Sequence, residues 1–229
     1  MPAQAPGVFA GGANVIAVLI LLAQFGMFRQ TLVRDQIRLY AAQSGLISVL
    51  AVIVGAVRHL PELYVLAVLS AALKVVVIPL VIRRLLRTTE PAAMADLGDI
   101  AGSGGLGVAS MVLLAIAVAA FGFFSAGALP VPGGAAPAVA LSVSVAVVLV
   151  SFMLMIHRRD VISQAIGLFT LENGISLAAL VVAASLPLIL EVALLFDLLL
   201  AVIVFGLLIR IHHGRTESLS TSELTSLRG

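Results

Sequence analysis

The stretch Val65-Leu-Ala-Val-Leu-Ser-Ala-Ala-Leu-Lys-Val-Val-Val-Ile-Pro79 is almost entirely apolar and carries a single charge, on Lys74. A run of about 20 mainly apolar residues is long enough to cross a bilayer as a helix. A charge near the bilayer centre costs roughly 2.5 kcal/mol or more, so such residues are rare and usually functional. Glu172 and Asp197 lie in similar apolar runs. A lysine and two carboxylates inside one small membrane protein point to proton or ion handling.

The composition of the whole chain also predicts a polytopic membrane protein. Of its 229 residues, 62% are hydrophobic and 10% are charged, and the mean hydropathy is +1.22. A soluble domain has about 25% charged residues. The chain has no cysteine, which excludes disulfides and iron–sulfur ligation. Neither a cofactor nor a metal is predicted, because no matching motif is present, and a net charge of +2 gives no reason to expect nucleic acid.

Seven apolar runs are long enough to span a bilayer, and the hydrocarbon core excludes exposed strand edges. An all-α integral membrane protein with seven transmembrane helices is therefore predicted, with spans at Val8–Phe28, Leu39–Val57, Pro61–Ile82, Leu106–Leu129, Ala135–Ile156, Val161–Leu186 and Pro187–Ile211. Every arginine except Arg58 falls on one side of these spans. Because basic loops stay in the cytoplasm, we expect an outside N-terminus and a cytoplasmic C-terminus.

The two halves of the chain resemble each other weakly. Tyr40-Ala-Ala-Gln-Ser-Gly-Leu46 aligns with Phe169-Thr-Leu-Glu-Asn-Gly-Ile175, and Ser70 aligns with Asp197. Spans 1–3 and 5–7 would form a parallel duplication, because one span separates them; the alternative is a chance match between hydrophobic helices. The predicted organisation is a three-helix unit at 1–90, a linker and fourth span at 91–134, a second three-helix unit at 135–217 and a tail at 218–229.

The polar positions of the two units differ in charge. Gln43 stands where the second unit has Glu172, and Ser70 stands where it has Asp197. Only the second unit would then hold ionisable acids, with Gln43, Ser70 and Asn173 in supporting places. Glu172 is predicted near the middle of the sixth span, where a buried acid either relays protons or, protonated, holds helices together.

Lys74 and Asp197 each have two interpretations. Lys74 is the only lysine in the chain, and a buried lysine can lose its proton whereas arginine effectively cannot. It suits a proton path, or it forms a static ion pair with Glu172 or Asp197. Asp197 either faces the same polar line as Glu172, since spans 6 and 7 are antiparallel neighbours, or it packs locally.

Three segments together carry a family resemblance. They are Thr170-Leu-Glu-Asn-Gly-Ile-Ser176, Arg210-Ile-His-His213 and the ending Glu223-Leu-Thr-Ser-Leu-Arg-Gly229. With the acid in the seventh span, they resemble the E-type membrane subunit of the formate-hydrogenlyase-type group 4 membrane hydrogenases over essentially the whole chain. The part from about Ile156 to Gly229 also resembles the small K-type subunit of NADH–quinone oxidoreductase and the C-type subunit of multisubunit sodium/proton antiporters.

The resemblance implies a membrane-arm subunit that carries out no redox chemistry itself. Glu172 matches the first membrane glutamate of the small three-helix subunit of NADH–quinone oxidoreductase, and Asp197 matches the second with a shorter side chain. Lys74 is not supplied by that pattern. The implied partners are antiporter-like membrane subunits and hydrogenase-like redox subunits around the bilayer. Two alternatives remain open at this point, a subunit of a non-redox sodium/proton antiporter and a scaffold without a transport role.

Overall fold

The computed structural model describes residues 7–30, 32–88, 108–127, 138–158 and 161–182, together with Leu199, Ile203 and Gly206. These residues are helical apart from short turns, and no strand occurs among them. The helices are α1 (Gly7–Arg29), α2 (Val33–Arg58), α3 (Glu62–Ser70), a π-helix (Ala71–Val77), α4 (Ile78–Thr88), α5 (Val108–Gly127), α6 (Ala138–His157) and α7 (Val161–Val182).

Six helices are long and apolar enough to cross a membrane, with α3, the π-helix and α4 running on as one span. They confirm the first six predicted spans as helices. The seventh predicted span, Pro187–Ile211, lies outside the described residues, except for Leu199, Ile203 and Gly206, which are helical. The linker from 91 to 107 and the tail from 218 to 229 also lie outside them.

Two helices extend beyond the apolar runs that predicted them. Helix α2 begins at Val33, six residues before the predicted Leu39, and α4 continues past Ile82 to Thr88. The first turn of α2 includes Asp35, which is favourable at a helix N-terminus and is paired with Arg38 at 2.9 Å. Hydropathy identifies only the apolar part of a helix, which lipid can surround. The charged residues at the helix ends are therefore not predicted from hydropathy.

Four helices form a closed ring at the centre of the fold. Contacts join α1 to α2, α2 to α7, α7 to α6 and α6 to α1. The third span packs on the outside of α2, and α5 packs on α6 and α1. Outward positions carry large exposed apolar side chains, among them Leu113, Phe121 and Phe124 of α5. Such a surface is typical of a helix that faces lipid.

The third span contains a π-helix directly before a proline. The backbone N–H of Ile78 donates to the carbonyl of Leu73, five residues back. Pro79 has no N–H, and its ring would collide with the carbonyl four residues earlier in a regular α-helix. Widening the preceding turn relieves that collision, and inserted π-turns are frequent at functional sites. Lys74 lies within this widened segment.

Glycines bring α6 and α7 close together. A Cβ at Gly174 would lie 2.7 Å from Cγ2 of Val148, and a Cβ at Gly167 would lie 2.5 Å from Cγ of Met155. Ser144 Oγ donates a 2.8 Å hydrogen bond to the Gly174 carbonyl. Small residues allow this approach, which is how membrane helices gain packing energy without a hydrophobic driving force. The close contact fixes the rotation of α7 and therefore the direction in which Glu172 points.

Candidate functional site

A buried ion pair joins the third span to α7. The ammonium Nζ of Lys74 lies 2.6 Å from both carboxylate oxygens of Glu172 and donates a hydrogen bond to Oε1. Lys74 is 1% exposed and Glu172 is 8% exposed. Each residue lies near the middle of its span, so the charges are as far from either membrane surface as the helices allow.

Ser176 completes the contacts of this pair. Its hydroxyl donates to Oε1 of Glu172 at 3.1 Å and accepts a hydrogen bond from Nζ of Lys74 at 3.1 Å. Ser176 follows Glu172 by four residues, which places the two side chains on the same face of the helix. The other carboxylate oxygen, Oε2, has no hydrogen bond among the described residues besides its close ionic contact with Lys74. Oε1 therefore accepts two hydrogen bonds, from Lys74 and Ser176, whereas Oε2 has only the ionic contact with Lys74.

Among the residues that the structure describes, the acid that Lys74 contacts is Glu172. The ion pair with Glu172 was one of the alternatives that the sequence left open. Asp197 lies outside the described residues. Ser70 is buried at the end of α3, one helical turn before Lys74. The two charged residues predicted in the described part of the path therefore meet directly.

A second buried polar region is built from side-chain amides. Asn173 Nδ2 donates to Ser44 Oγ at 2.8 Å and to Gln43 Oε1 at 3.1 Å. Gln43 Nε2 then donates to Gln24 Oε1 at 3.0 Å. All four residues are buried. The supporting residues Gln43 and Asn173 are therefore in direct contact, across the interface between α2 and α7.

The amide network continues from Gln24 to two hydroxyls. Gln24 Nε2 donates to Ser151 Oγ at 3.0 Å and approaches Thr170 Oγ1 at 3.5 Å. The two hydroxyls lie 3.0 Å apart, and Ser151 donates in turn to the Val147 carbonyl. Every donor points the same way, from Asn173 through Gln43 and Gln24 to the hydroxyls. The network joins α1, α2, α6 and α7, which are the four helices of the ring.

Tyr40 lies between these two regions. Its side chain is fully buried, and its ring centroid is 5.8 Å from that of Phe169. The hydroxyl is beside Ser44 and within the electrostatic influence of the Glu172 carboxylate. It makes no hydrogen bond of good geometry within the part of the chain that the structure describes.

A third polar cluster closes one end of the ring. Arg158 is only 4% exposed, and its guanidinium donates to the Gln30 carbonyl at 2.6 Å and to the Phe28 carbonyl at 3.3 Å. The last carbonyls of a helix have no partner within it, and a cation near them is favourable. Ser163 donates to Gln36 at 3.0 Å nearby. In the sequence, Arg158 was used only to predict the membrane orientation. In the structure its hydrogen bonds also join the end of α6 to the end of α1.

Contacts between the two halves have a nearly constant spacing along the sequence. Gln24 meets Ser151 and Gln36 meets Ser163 at a separation of 127 residues. Ser44 meets Asn173 at a separation of 129, and the Tyr40–Phe169 ring pair has the same spacing. Because the partners advance together along both chain segments, α1 runs parallel to α6 and α2 runs parallel to α7.

Sequence reasoning missed the uncharged members of the core. Gln24, Tyr40, Ser176 and Ser151 were not singled out, because a neutral polar residue in an apolar run is less conspicuous than a charge. Two signals could have found them. Ser176 is one helical turn after Glu172, and Gln24 precedes Ser151 by the offset that aligns Ser70 with Asp197.

The ionisable groups of the site are Lys74 and Glu172, and the net charge of the pair depends on their protonation. Among the described residues, no group of three or more histidine or acidic side chains could hold a metal ion. The ion pair can change its charge when a proton arrives or leaves, whereas the amides of the network do not ionise. A proton on Glu172 would remove its attraction for the Lys74 ammonium, so the states of the two groups are coupled.

The fold and site define a multi-pass helical membrane protein with a buried Lys–Glu pair. A stretch of 59 residues is 41% identical to the uncharacterized protein Rv0085 of Mycobacterium tuberculosis, covering 26% of this chain and 27% of that protein. The chain thus matches well under two thirds of that relative. No family model matches the chain. No solved structure matches it either.

Proposed function

We propose that this protein is a non-redox membrane-arm subunit of an energy-converting, formate-hydrogenlyase-like complex. Its Lys74–Glu172 pair would form part of a proton or ion path coupled to redox chemistry in other subunits. The observation that carries the proposal is the ion pair itself, fully inside the helical core and 2.6 Å across. Intramembrane pairs of this kind mark ion pathways and proton relays.

The proposed mechanism uses the mutual dependence of the two charges. A proton that reaches Glu172 neutralises the carboxylate and leaves the Lys74 ammonium without its counter-charge. Keeping an unpaired ammonium in the core is costly, so Lys74 then gives up a proton or moves its ammonium toward another acceptor. Charge rearrangement in a neighbouring subunit acts on the same equilibrium, because coupling between sites is a difference in interaction free energy.

The π-helix supports this mechanism. Its backbone hydrogen bonds join residues five apart, and Pro79 leaves one acceptor of the preceding turn without its usual donor. Inserted π-turns are frequent at functional sites, and Lys74 lies within this one.

The proposal includes the internal duplication and the membrane orientation. Sequence separations of 127 to 129 residues between partners in the core match the alignment of the two three-helix units. A pseudo-two-fold axis along the membrane normal would bring equivalent residues of two parallel units together in this way. The distribution of the arginines supports an outside N-terminus and a cytoplasmic C-terminus, and the resemblance to the membrane hydrogenase subunits supports a prokaryotic cell membrane.

The first test is the identity of the proteins that copurify with the chain. The tagged protein is extracted from its native membrane in mild detergent, and its companions are identified. Iron–sulfur and nickel subunits together with antiporter-like proteins would support the proposal. Antiporter subunits without redox partners would indicate that the chain is a subunit of a non-redox sodium/proton antiporter. If no other protein copurifies, a subunit role is contradicted altogether.

The second test measures ion movement by the assembled complex. The variant Glu172→Gln keeps the shape of the side chain and removes its charge, and we expect it to abolish or strongly reduce ion movement. Glu62→Gln is the matched control, because it makes the same chemical change at an exposed helix start. A Glu172→Gln complex that assembles and pumps at the normal rate would exclude the relay.

A further inference from the structure

The Tyr40 hydroxyl and the Glu172 oxygen Oε2 are two unsatisfied groups in one buried region. Both atoms are inaccessible to solvent, and neither has a hydrogen bond to any residue the structure describes. Tyr40 is on α2 and Glu172 is on α7, two helices in direct contact. Leaving a buried polar group without a hydrogen bond is costly, so two such groups on contacting helices call for a common explanation.

The neighbours of Tyr40 limit where its hydroxyl can donate. Ser44 Oγ is a neutral acceptor beside the hydroxyl; it already accepts a hydrogen bond from Asn173 Nδ2 at 2.8 Å and has one lone pair left. The ring packs against Phe169, which restricts the direction of the hydroxyl. The Glu172 carboxylate acts electrostatically on this hydroxyl, and its Oε2 is an ionised acceptor with free lone pairs. Hydrogen bonds to charged groups are about twice as strong as neutral ones.

We propose that Tyr40 is the third member of the Lys74–Glu172 site and donates its hydroxyl hydrogen bond to Oε2 of Glu172. Ser176 then holds Oε1, Tyr40 holds Oε2, and the Lys74 ammonium lies close to both oxygens. This assignment gives a hydrogen-bond partner to both atoms that lack one. It makes Tyr40 a positioning residue for the carboxylate.

The hydroxyl has a property that the Lys74 ammonium lacks. It carries one donor and two acceptor lone pairs, so it donates to an ionised Glu172 and accepts from a protonated one. The ammonium can only donate. Tyr40 therefore remains a hydrogen-bond partner of Glu172 whether the carboxyl group is ionised or protonated. This lowers the free-energy cost of changing the protonation state of Glu172. This role in ion movement rests on the proposed function, whereas the hydrogen bond itself does not.

The chain offers a direct spectroscopic test of the hydrogen bond. It contains two tyrosines and no tryptophan, so Tyr64→Phe leaves Tyr40 as the only source of tyrosine signals. Tyr64 is 41% exposed, and its replacement keeps the ring. The ultraviolet resonance Raman doublet of tyrosine reports whether the hydroxyl donates strongly, accepts or is free. We expect a strong-donor signature in the full-length Tyr64→Phe protein, and its loss when Glu172→Gln is added.

The outcomes separate this inference from the proposed function. An unchanged doublet after Glu172→Gln, or a free hydroxyl before that substitution, would overturn the hydrogen bond.

In the assembled complex we expect Tyr40→Phe to slow ion movement about tenfold, as loss of a hydrogen bond to a charged group predicts, with Tyr64→Phe near normal. If Glu172→Gln leaves ion movement intact while the doublet changes, the relay fails and the Tyr40 contact stands. If Tyr40→Phe moves ions normally, Tyr40 has no positioning role.

Discussion

Glu172 and Asn173 are adjacent in the sequence and belong to two buried polar regions with opposite properties. Asn173 opens a neutral network in which each amide donates in the same direction, through Gln43 to Gln24. Glu172 forms a charged pair with Lys74 and keeps one oxygen without a hydrogen bond in the described part of the chain. The neutral network cannot change charge and joins the ring helices. The charged pair adds less to fold stability, since burying two charges is expensive, but it can respond to a proton.

The largest expected effect comes from removing one charge of the pair. Lys74→Met or Glu172→Leu alone leaves the other ionisable group buried without its counter-charge, which costs about 3–5 kcal/mol. The double variant Lys74→Met with Glu172→Leu should recover most of that loss. Unfolding free energies of the four proteins in bicelles, combined as a double-mutant cycle, give the coupling. Additive losses in the double variant would mean that the pair does not exist in the folded protein.

The second prediction compares equivalent glycines of the two halves. Gly174→Ala should destabilise the fold by about 1–3 kcal/mol through overpacking, because its Cβ would lie 2.7 Å from Val148. Gly45 aligns with Gly174, yet a Cβ there would meet only Val75 Cγ2, at 3.9 Å. Gly45→Ala should therefore stabilise the helix by about 1 kcal/mol. Thermal unfolding in detergent measures both, and equal effects would refute the close α6–α7 contact.

The amide network should matter for stability and not for ion movement. Gln43→Leu removes an acceptor of Asn173 and the donor to Gln24, and membrane hydrogen bonds contribute about 0.6 to 1.7 kcal/mol. We expect a loss of about 1 kcal/mol, with ion movement per assembled complex unchanged. The check is unfolding in bicelles together with transport in vesicles. A transport defect without a stability defect would make the network part of the path.

The smallest effect is expected at the end of the network. Thr170→Val is nearly isosteric and removes one of two hydroxyls near Gln24, the weaker one at 3.5 Å. Ser151 still accepts from Gln24 at 3.0 Å. We expect a loss of about 0.6 kcal/mol or less in the same unfolding assay. A loss as large as that of Gln43→Leu would show that the network depends on Thr170 rather than on Ser151.

Much of the fold could be predicted from the sequence, because a membrane-spanning helix is determined by the length and hydropathy of one continuous segment. The apolar runs predicted the six helices of the described residues, since each span needs only length and hydropathy. The π-helix was not predicted, although Pro79 in the third span was its visible signal. The two charged residues of the site, Lys74 and Glu172, were also predicted. Their pairing was not, because it depends on how the third span and α7 are rotated about their axes.

The neutral parts of the site depend on contacts that no local pattern contains. Gly174 sets how closely α7 approaches α6, and this distance fixes the direction of Glu172. Tyr40 looked like an ordinary aromatic residue at the start of a repeat motif. Only the packing of α2 on α7 brings its ring against Phe169. Asp197 was predicted from the same reasoning as Glu172 and stays a prediction.

In the proposed function, ion movement depends on the charged pair, whereas the neutral network joins the helices. The most direct measurement is ion movement per assembled complex in native membrane vesicles that carry Lys74→Met with Glu172→Gln. This variant is neutral at both positions, so loss of assembly does not obscure the result. We expect normal amounts of complex and no ion movement, with Gln43→Leu near normal in the same vesicles. Ion movement at the normal rate in the doubly neutral variant would contradict this assignment.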